Sequence, residues 1–317
     1  MQTLSATKSD FRFKTMRALI TGADGFTGNY LADALRIRGF FVTGLFRTEP
    51  QSEAATEHFD HVIVADLLDE VQLATAVELS APTVAAHLAA ISSVDHANVS
   101  EMYETNIVGT RSLLKQLHKF APRISSILLA SSANIYGNSA ELFINENTPL
   151  SPANDYGVSK LAMEYLAKTW FDKLPITIVR PFNYTGVGQS DRFVIPKIVN
   201  HFVRRVPEIE LGNVSVFRDY SDVRDVAEAY AQLLTHPKPN QTFNVASGVA
   251  TSLQELIDAL AQITGHSIEV KVNPNFIRKD EIISLRGDDS RLRNAVELKT
   301  KKRLNETLSW MVSGGGQ

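Results

Sequence analysis

Short apolar runs separated by amphipathic stretches set the pattern of the first half of the chain. Ala18–Ile20, Phe41–Phe46, His61–Ala65, Thr83–Leu88, Ile124–Ala130 and Ile176–Val179 are the lengths of buried strands. Tyr30, Leu31, Ala34, Leu35 and Ile37 repeat at helical spacing up to Gly39, and further helices are expected near 69–79, 100–119 and 154–172. Strands that are apolar throughout, alternating with helices, predict an α/β fold whose parallel sheet is covered on both faces.

From Phe182 the texture changes. Gly186, Gly188, Pro196, Pro207, Gly212, Pro237 and Pro239 interrupt the pattern, with helices expected near 191–205, 222–235 and 252–264. The division is a first domain over 16–181 and a smaller mixed α/β lobe over 182–312. The run 242–246 can return to the first sheet, so the boundary is interleaved. In the helix expected at 100–119, Tyr103, Ile107, Thr110, Leu114 and Leu117 form one stripe that fits either plain core or a dimer interface.

Composition narrows the function classes. A chain of 317 residues suggests about two domains. Thirty-two Lys and Arg against 35 Asp and Glu leave −3, with no basic run, so nucleic acid is not an expected partner. The absence of cysteine rules out disulfides and thiolate metal sites, and no metal site is expected. No long apolar run or signal-peptide pattern is present, so a cytoplasmic enzyme without a membrane partner is expected. Residues 1–15 read as a loose polar tail and 313–317 as a flexible terminus.

The candidate chemistry begins at Thr21-Gly22-Ala23-Asp24-Gly25-Phe26-Thr27-Gly28, between the first strand and helix. Gly22 permits a tight turn, Gly25 lets a diphosphate approach the backbone, and Gly28 lets the helix pack close to the strand. The N–H groups opening the helix then face the phosphates. Arg47 lies at the end of the second strand, 19 residues past Gly28, where a dinucleotide fold reads the adenosine ribose. A guanidinium there suits the 2′-phosphate of NADP(H). NAD(H) stays open, and so does a plain surface arginine. Asp66 can accept from the adenine amino group or cap the next helix. Tyr156 and Lys160 lie one helical turn apart, where an ammonium would lower the phenol pKa and allow proton exchange near neutrality. Ser131 to Gly137 follows an apolar strand, at the sheet end where open α/β sheets bind ligands.

Together these motifs resemble the extended short-chain dehydrogenase/reductases that act on nucleotide sugars. The matching pieces span residues 17–286 and include His87-Leu88-Ala89-Ala90, Asn106 to Thr110, Ser131 to Gly137, Tyr156 to Lys160, Arg180 to Asn183 and Arg218-Asp219-Tyr220. The resemblance implies a Rossmann domain, a C-terminal sugar-nucleotide lobe and a homodimer packed through the helices near 100–119 and 154–172. It assigns catalysis to Ser132, Tyr156 and Lys160. It adds Phe26, Thr27, Leu67, Leu88, Ala89, Ala90 and Asn106 to the coenzyme contacts. Ser92, Asn134, Asn183 and Arg218 fall to the substrate, as do Arg278 and Glu281, where Lys279 replaces a usual proline. Phe193 to Lys197 resembles the F-V-x-x-K segment that places Val194 and Lys197 beside guanine. The best match is the GDP-4-keto-6-deoxy-D-mannose reductases, which make GDP-D-rhamnose or GDP-6-deoxy-D-talose. Dehydratases of the superfamily carry a glutamate, often beside another acid, just after the matching Ser/Thr. Here those positions are Ala133 and Asn134.

Overall fold

The computed structural model describes residues 16–92, 98–139, 141–277, 283–298 and 301–315. In chain order the strands are β1 (Arg17–Thr21), β2 (Phe41–Phe46), β3 (His61–Val64), β4 (Val84–His87), β5 (Ser126–Ala130), β6 (Ile176–Pro181), β7 (Asn183–Thr185), β8 (Glu208–Leu211), β9 (Phe217–Asp222), β10 (Gln241–Val245), β11 (Ala250–Ser252), β12 (Glu269–Val272) and β13 (Ser284–Leu285). The helices are α1 (Phe26–Ile37), α2 (Glu70–Ser80), α3 (Val99–Tyr103), α4 (Thr110–Phe120), α5 (Asp155–Lys168), α6 (Val194–Val203), α7 (Val223–Thr235), α8 (Leu253–Thr264), α9 (Ser290–Ala295) and α10 (Leu304–Val312).

Seven strands pair in the order β10-β6-β5-β4-β1-β2-β3, and every pairing is parallel. Alternation divides each strand between two cores. Ala18 and Ile20 join Leu31, Leu35, Val226 and Tyr230 under α1 and α7. Leu19 faces the other way, with Leu73, Leu113, Leu117 and Met163 under α2, α4 and α5. This is the doubly covered sheet expected of a Rossmann fold. The strand order reverses between β1 and β4, and a crevice opens at their carboxyl ends.

β10 does return to this sheet, beside β6. So do helices that the sequence division puts in the second lobe. Residues of α7 and α9, among them Val226, Leu233 and Leu292, pack in the core beneath α1. The remaining lobe holds β7, β9, β11 and β13 in one small sheet and β8 with β12 in another. Its core joins Ile198, Phe202, Leu256, Leu260 and Leu308.

Four local expectations change. The helix expected at 100–119 is interrupted by a π-helical stretch, Glu104–Gly109, between α3 and α4. Its stripe is core where it is deepest: Thr110, Leu114 and Leu117 are at most 1% exposed. Pro196 does not break α6 but sits in its first turn, where the missing N–H has no carbonyl to meet. Residues 313–315 close α10 in a turn, with Gly315 donating to the Trp310 carbonyl at 3.2 Å. Residues 1–15, expected as a loose tail, lie outside the described residues.

Candidate active site

The glycine turn is built by close approach. Gly22 has φ +66°, and a Cβ there would stand 2.6 Å from Ala89 N. A Cβ on Gly28 would stand 2.5 Å from the Ala23 carbonyl oxygen, so Gly28 fits the helix to the turn itself more than to the strand. Gly25 is the N-cap of α1 and supplies no side chain to the N–H groups of the first turn. Its Cβ direction meets only the Gly22 carbonyl, at 3.1 Å. An open backbone cradle with uncapped helix N–H groups, at the switch point of the sheet, fits a dinucleotide diphosphate.

Around that cradle lie the expected coenzyme residues. Leu88, Ala89 and Ala90 follow β4 beside Gly22, and Leu67 packs in the core below Asp66. Asp66 does not cap α2. Its carboxylate accepts from Leu68 N at 2.9 Å, and Asp69 caps the helix through Val71 N and Gln72 N. Arg47 follows β2 and pairs with Glu101 of α3 at 3.4 Å. Asn106 is buried on the π-helical stretch. It is 1% exposed, accepts from Ile91 N, and spends both amide hydrogens on the Ile91 carbonyl and Ser159 Oγ.

Catalytic candidates come from two elements. Ser132 lies two residues past the end of β5 and caps the short 3₁₀ turn Ala133–Tyr136. Its Oγ accepts from the Asn134 backbone at 3.2 Å and from Asn134 Nδ2 at 3.1 Å. With its acceptor side so occupied, the serine hydroxyl is left to donate. Tyr156 and Lys160 lie on α5, which Asn154 caps through Gly157 N at 2.8 Å. A Cβ on Gly157 would stand 2.9 Å from the Asn134 carbonyl, so glycine lets this helix close on the serine turn. Tyr156 lies beside Ser132, whose hydroxyl favours the phenolate. Lys160 Nζ donates to the Ala130 carbonyl at 2.8 Å.

The electrostatics overturn one expectation. Burial pushes the Tyr156 phenol up to about 12, against a smaller lowering from the Ser132 hydroxyl. Burial likewise brings the Lys160 ammonium down to about 8, opposed by Glu164. The phenol is thus neutral at physiological pH. Lys160 holds its charge only below its own pKa. Turnover should therefore hold steady below about pH 8 and decline above it, while Tyr156 stays protonated throughout. A pH–rate profile that is flat through pH 9 would contradict this assignment.

Several supporting groups escaped the sequence reading. Glu164 continues the Tyr156–Lys160 face by one more turn and meets Arg180 of β6 in two bonds of 2.9 and 2.7 Å. Arg180 also donates to the Tyr136 hydroxyl at 2.9 Å, which donates to Asn244 of β10 at 2.7 Å. His87 bonds Thr21 Oγ1 through Nδ1 at 2.7 Å and Thr110 Oγ1 through Nε2 at 2.9 Å. Thr110 gives its proton to the Asn106 carbonyl, so the imidazole must donate from Nε2 and accept at Nδ1. Burial and the Lys160 charge push His87 down to about 3, keeping it neutral. The extension Y-x-x-x-K-x-x-x-E was the one readable signal among these.

The substrate candidates Asn183, Val194, Lys197 and Arg218 lie past β6. Asn183 is exposed on β7, Val194 opens α6, and Arg218 is half-buried on β9, donating to the Phe217 carbonyl at 2.9 Å. Lys197 Nζ donates to the Glu210 carbonyl at 2.8 Å and lies 5.1 Å from the centre of the Phe276 ring. Ser92 is exposed beyond β4. Arg278 and Glu281 lie outside the described residues. Among the described residues, no His, Cys, Asp and Glu cluster could hold a metal, and no helix is long and apolar enough to cross a membrane.

A neutral phenol at the edge of a dinucleotide cradle, on this sheet topology, defines an extended short-chain dehydrogenase/reductase. The solved structures agree on the fold: a putative epimerase from Burkholderia cenocepacia superposes with TM-score 0.89 at 46% identity, covering 95% of this chain and 98% of that one. RMD from Pseudomonas aeruginosa, complexed with NADPH, superposes with TM-score 0.80 at 30% identity, covering 95% and 97%. The chain belongs to the GDP-mannose 4,6 dehydratase family, whose match spans residues 19–311. Its relatives include GDP-6-deoxy-D-talose 4-dehydrogenase of Aggregatibacter actinomycetemcomitans, 32% identical over 89% of this chain and 91% of that one. GDP-6-deoxy-D-mannose reductase of Pseudomonas aeruginosa is 31% identical over 94% and 97%.

Proposed function

We propose that this protein reduces the 4-keto group of GDP-4-keto-6-deoxy-D-mannose with NADPH, giving GDP-D-rhamnose or GDP-6-deoxy-D-talose. The observation that carries the reading is Asn134. A dehydratase needs an acid/base beside the serine to remove the C5 proton and expel the C6 hydroxyl. Here that position is an amide that donates to Ser132 Oγ and takes up no proton at neutral pH. Reduction asks less of the site. Bound NADPH supplies the hydride. Ser132 orients the sugar oxygen, the neutral Tyr156 phenol gives its proton to the alkoxide at C4, and Lys160 lends positive charge to that end of the site. Gly22, Gly25 and the first turn of α1 would hold the diphosphate of the coenzyme, while Val194 and Lys197 would face guanine and Arg218 and Asn183 the sugar diphosphate. The relatives named for 4-position chemistry on GDP-6-deoxy sugars, and the NADPH complex, support the same reading. It implies a cytoplasmic homodimer in deoxysugar, and hence lipopolysaccharide, biosynthesis.

Two reactions test it. GDP-mannose with NADP⁺ should yield no ketosugar. GDP-4-keto-6-deoxymannose with NADPH should consume one coenzyme per sugar. Ketosugar from GDP-mannose would make the protein a dehydratase, and turnover without net NADPH loss would make it an epimerase. The coenzyme preference has its own test. Arg47→Asp should weaken NADPH far more than NADH, because it replaces the cation expected at the 2′-phosphate with a like charge. Unchanged relative affinities in a titration would remove Arg47 from the coenzyme site.

A further inference from the structure

Strand β7 lies between the two ligand sites. Neighbouring side chains of a strand leave on opposite faces. Asn183 is exposed, and Tyr184 is turned inward, its hydroxyl 2.8 Å from Thr27 Oγ1. Thr27 belongs to the first turn of α1, two residues past the Gly25 cap, where the uncapped N–H groups gather. Phe26 stacks on the Tyr184 ring, with centroids 6.2 Å apart and planes 11° from parallel. One turn on, Tyr30 donates its hydroxyl to the Val187 carbonyl at 2.7 Å. Three contacts thus tie the opening turns of α1 to residues 184–187. Along its edge β7 pairs with β9, with Asn183 opposite Tyr220 and Thr185 opposite Asp222, and β9 carries Arg218.

We propose that Tyr184 couples the coenzyme site to the nucleotide-sugar site. The inference rests on the reading of the two sites given above. A dinucleotide diphosphate that settles on the α1 turn fixes Thr27 and Phe26. Through the Tyr184 hydroxyl and ring this holds β7, and with it Asn183 and the β9 strand, in the position that receives a nucleoside diphosphate. Linkage makes the effect reciprocal, so the second ligand must tighten the first by the same factor. Burial raises the Tyr184 pKa, so the phenol stays neutral beside Thr27.

The test measures NADPH affinity by fluorescence titration with and without saturating GDP. GDP should tighten NADPH by about fivefold or more in the unmodified protein, the lower range of site-to-site coupling. In Tyr184→Phe, which keeps the stacked ring and loses the hydroxyl, that factor should fall to within about twofold of one. Thr27→Val should do the same from the other side of the bond, and Thr27→Ser, which retains a hydroxyl, should restore it. A merely structural Tyr184 would shift both affinities and leave their ratio unchanged, and that result overturns the proposal. So does a factor of one in the unmodified protein with both GDP and UDP. If UDP binds where GDP does not, only the guanine reading falls, and the same comparison is made with UDP.

Discussion

Replacing Tyr156 by Phe is expected to lower turnover by about 10²-fold or more while leaving coenzyme bound. The phenol is only 8% exposed, and its ring packs where a phenylalanine ring would. The substitution removes one hydroxyl, which lies beside Ser132. With a pKa pushed up to about 12, Tyr156 holds its proton throughout the working range and can give it up only as charge develops on the sugar oxygen. That is the behaviour of a general acid, and water is a poor replacement in a buried site. Ser132→Ala should show a smaller loss, because the phenol remains while the neighbouring hydroxyl is gone. Near wild-type turnover in Tyr156→Phe under single-turnover conditions would mean that the proton comes from elsewhere.

The largest stability effect is expected at Glu164. This carboxylate is fully buried, and its Arg180 partner is only 4% exposed. Glu164→Leu leaves a guanidinium in the interior without its counter-charge, which costs about 3–5 kcal/mol. Arg180→Met strands the carboxylate and should cost about as much. The double variant Glu164→Leu/Arg180→Met should regain much of the loss, since well-packed apolar pairs replace buried ion pairs at little net cost. Additive losses in a denaturation experiment would show that the two side chains act separately.

The sequence carried the site better than its surroundings, for a physical reason. Gly22, Tyr156 with Lys160, and Ser132 with Asn134 each express their chemistry within one turn or one helix face, so their spacing is visible in the chain. His87 depends on Thr21 and Thr110, 66 and 23 residues away, and no local pattern announces such partners. Glu101 beside Arg47 was hidden in the same way. The Tyr156 pKa went the wrong way because spacing shows the nearby lysine but not the burial that outweighs it. β7, β11 and β13 were missed because two or three residues are too few to show a period.

The place of β10 has a consequence for how the protein comes to exist. A strand made from residues 241–245 forms one edge of a sheet whose other members are finished by residue 181. α7, which covers one face of that sheet, also arrives late. During synthesis the first domain must therefore wait, with the β6 edge unpaired and one apolar face covered by α1 alone, until more than sixty further residues have left the ribosome. β7, α6, β8 and β9 of the smaller lobe are made within that interval, and β11, α8, β12, β13 and α10 only after it. A chain ending at residue 181 would be a sheet with an open template edge, prone to aggregate, so the first domain has no independent existence to which the second was merely added.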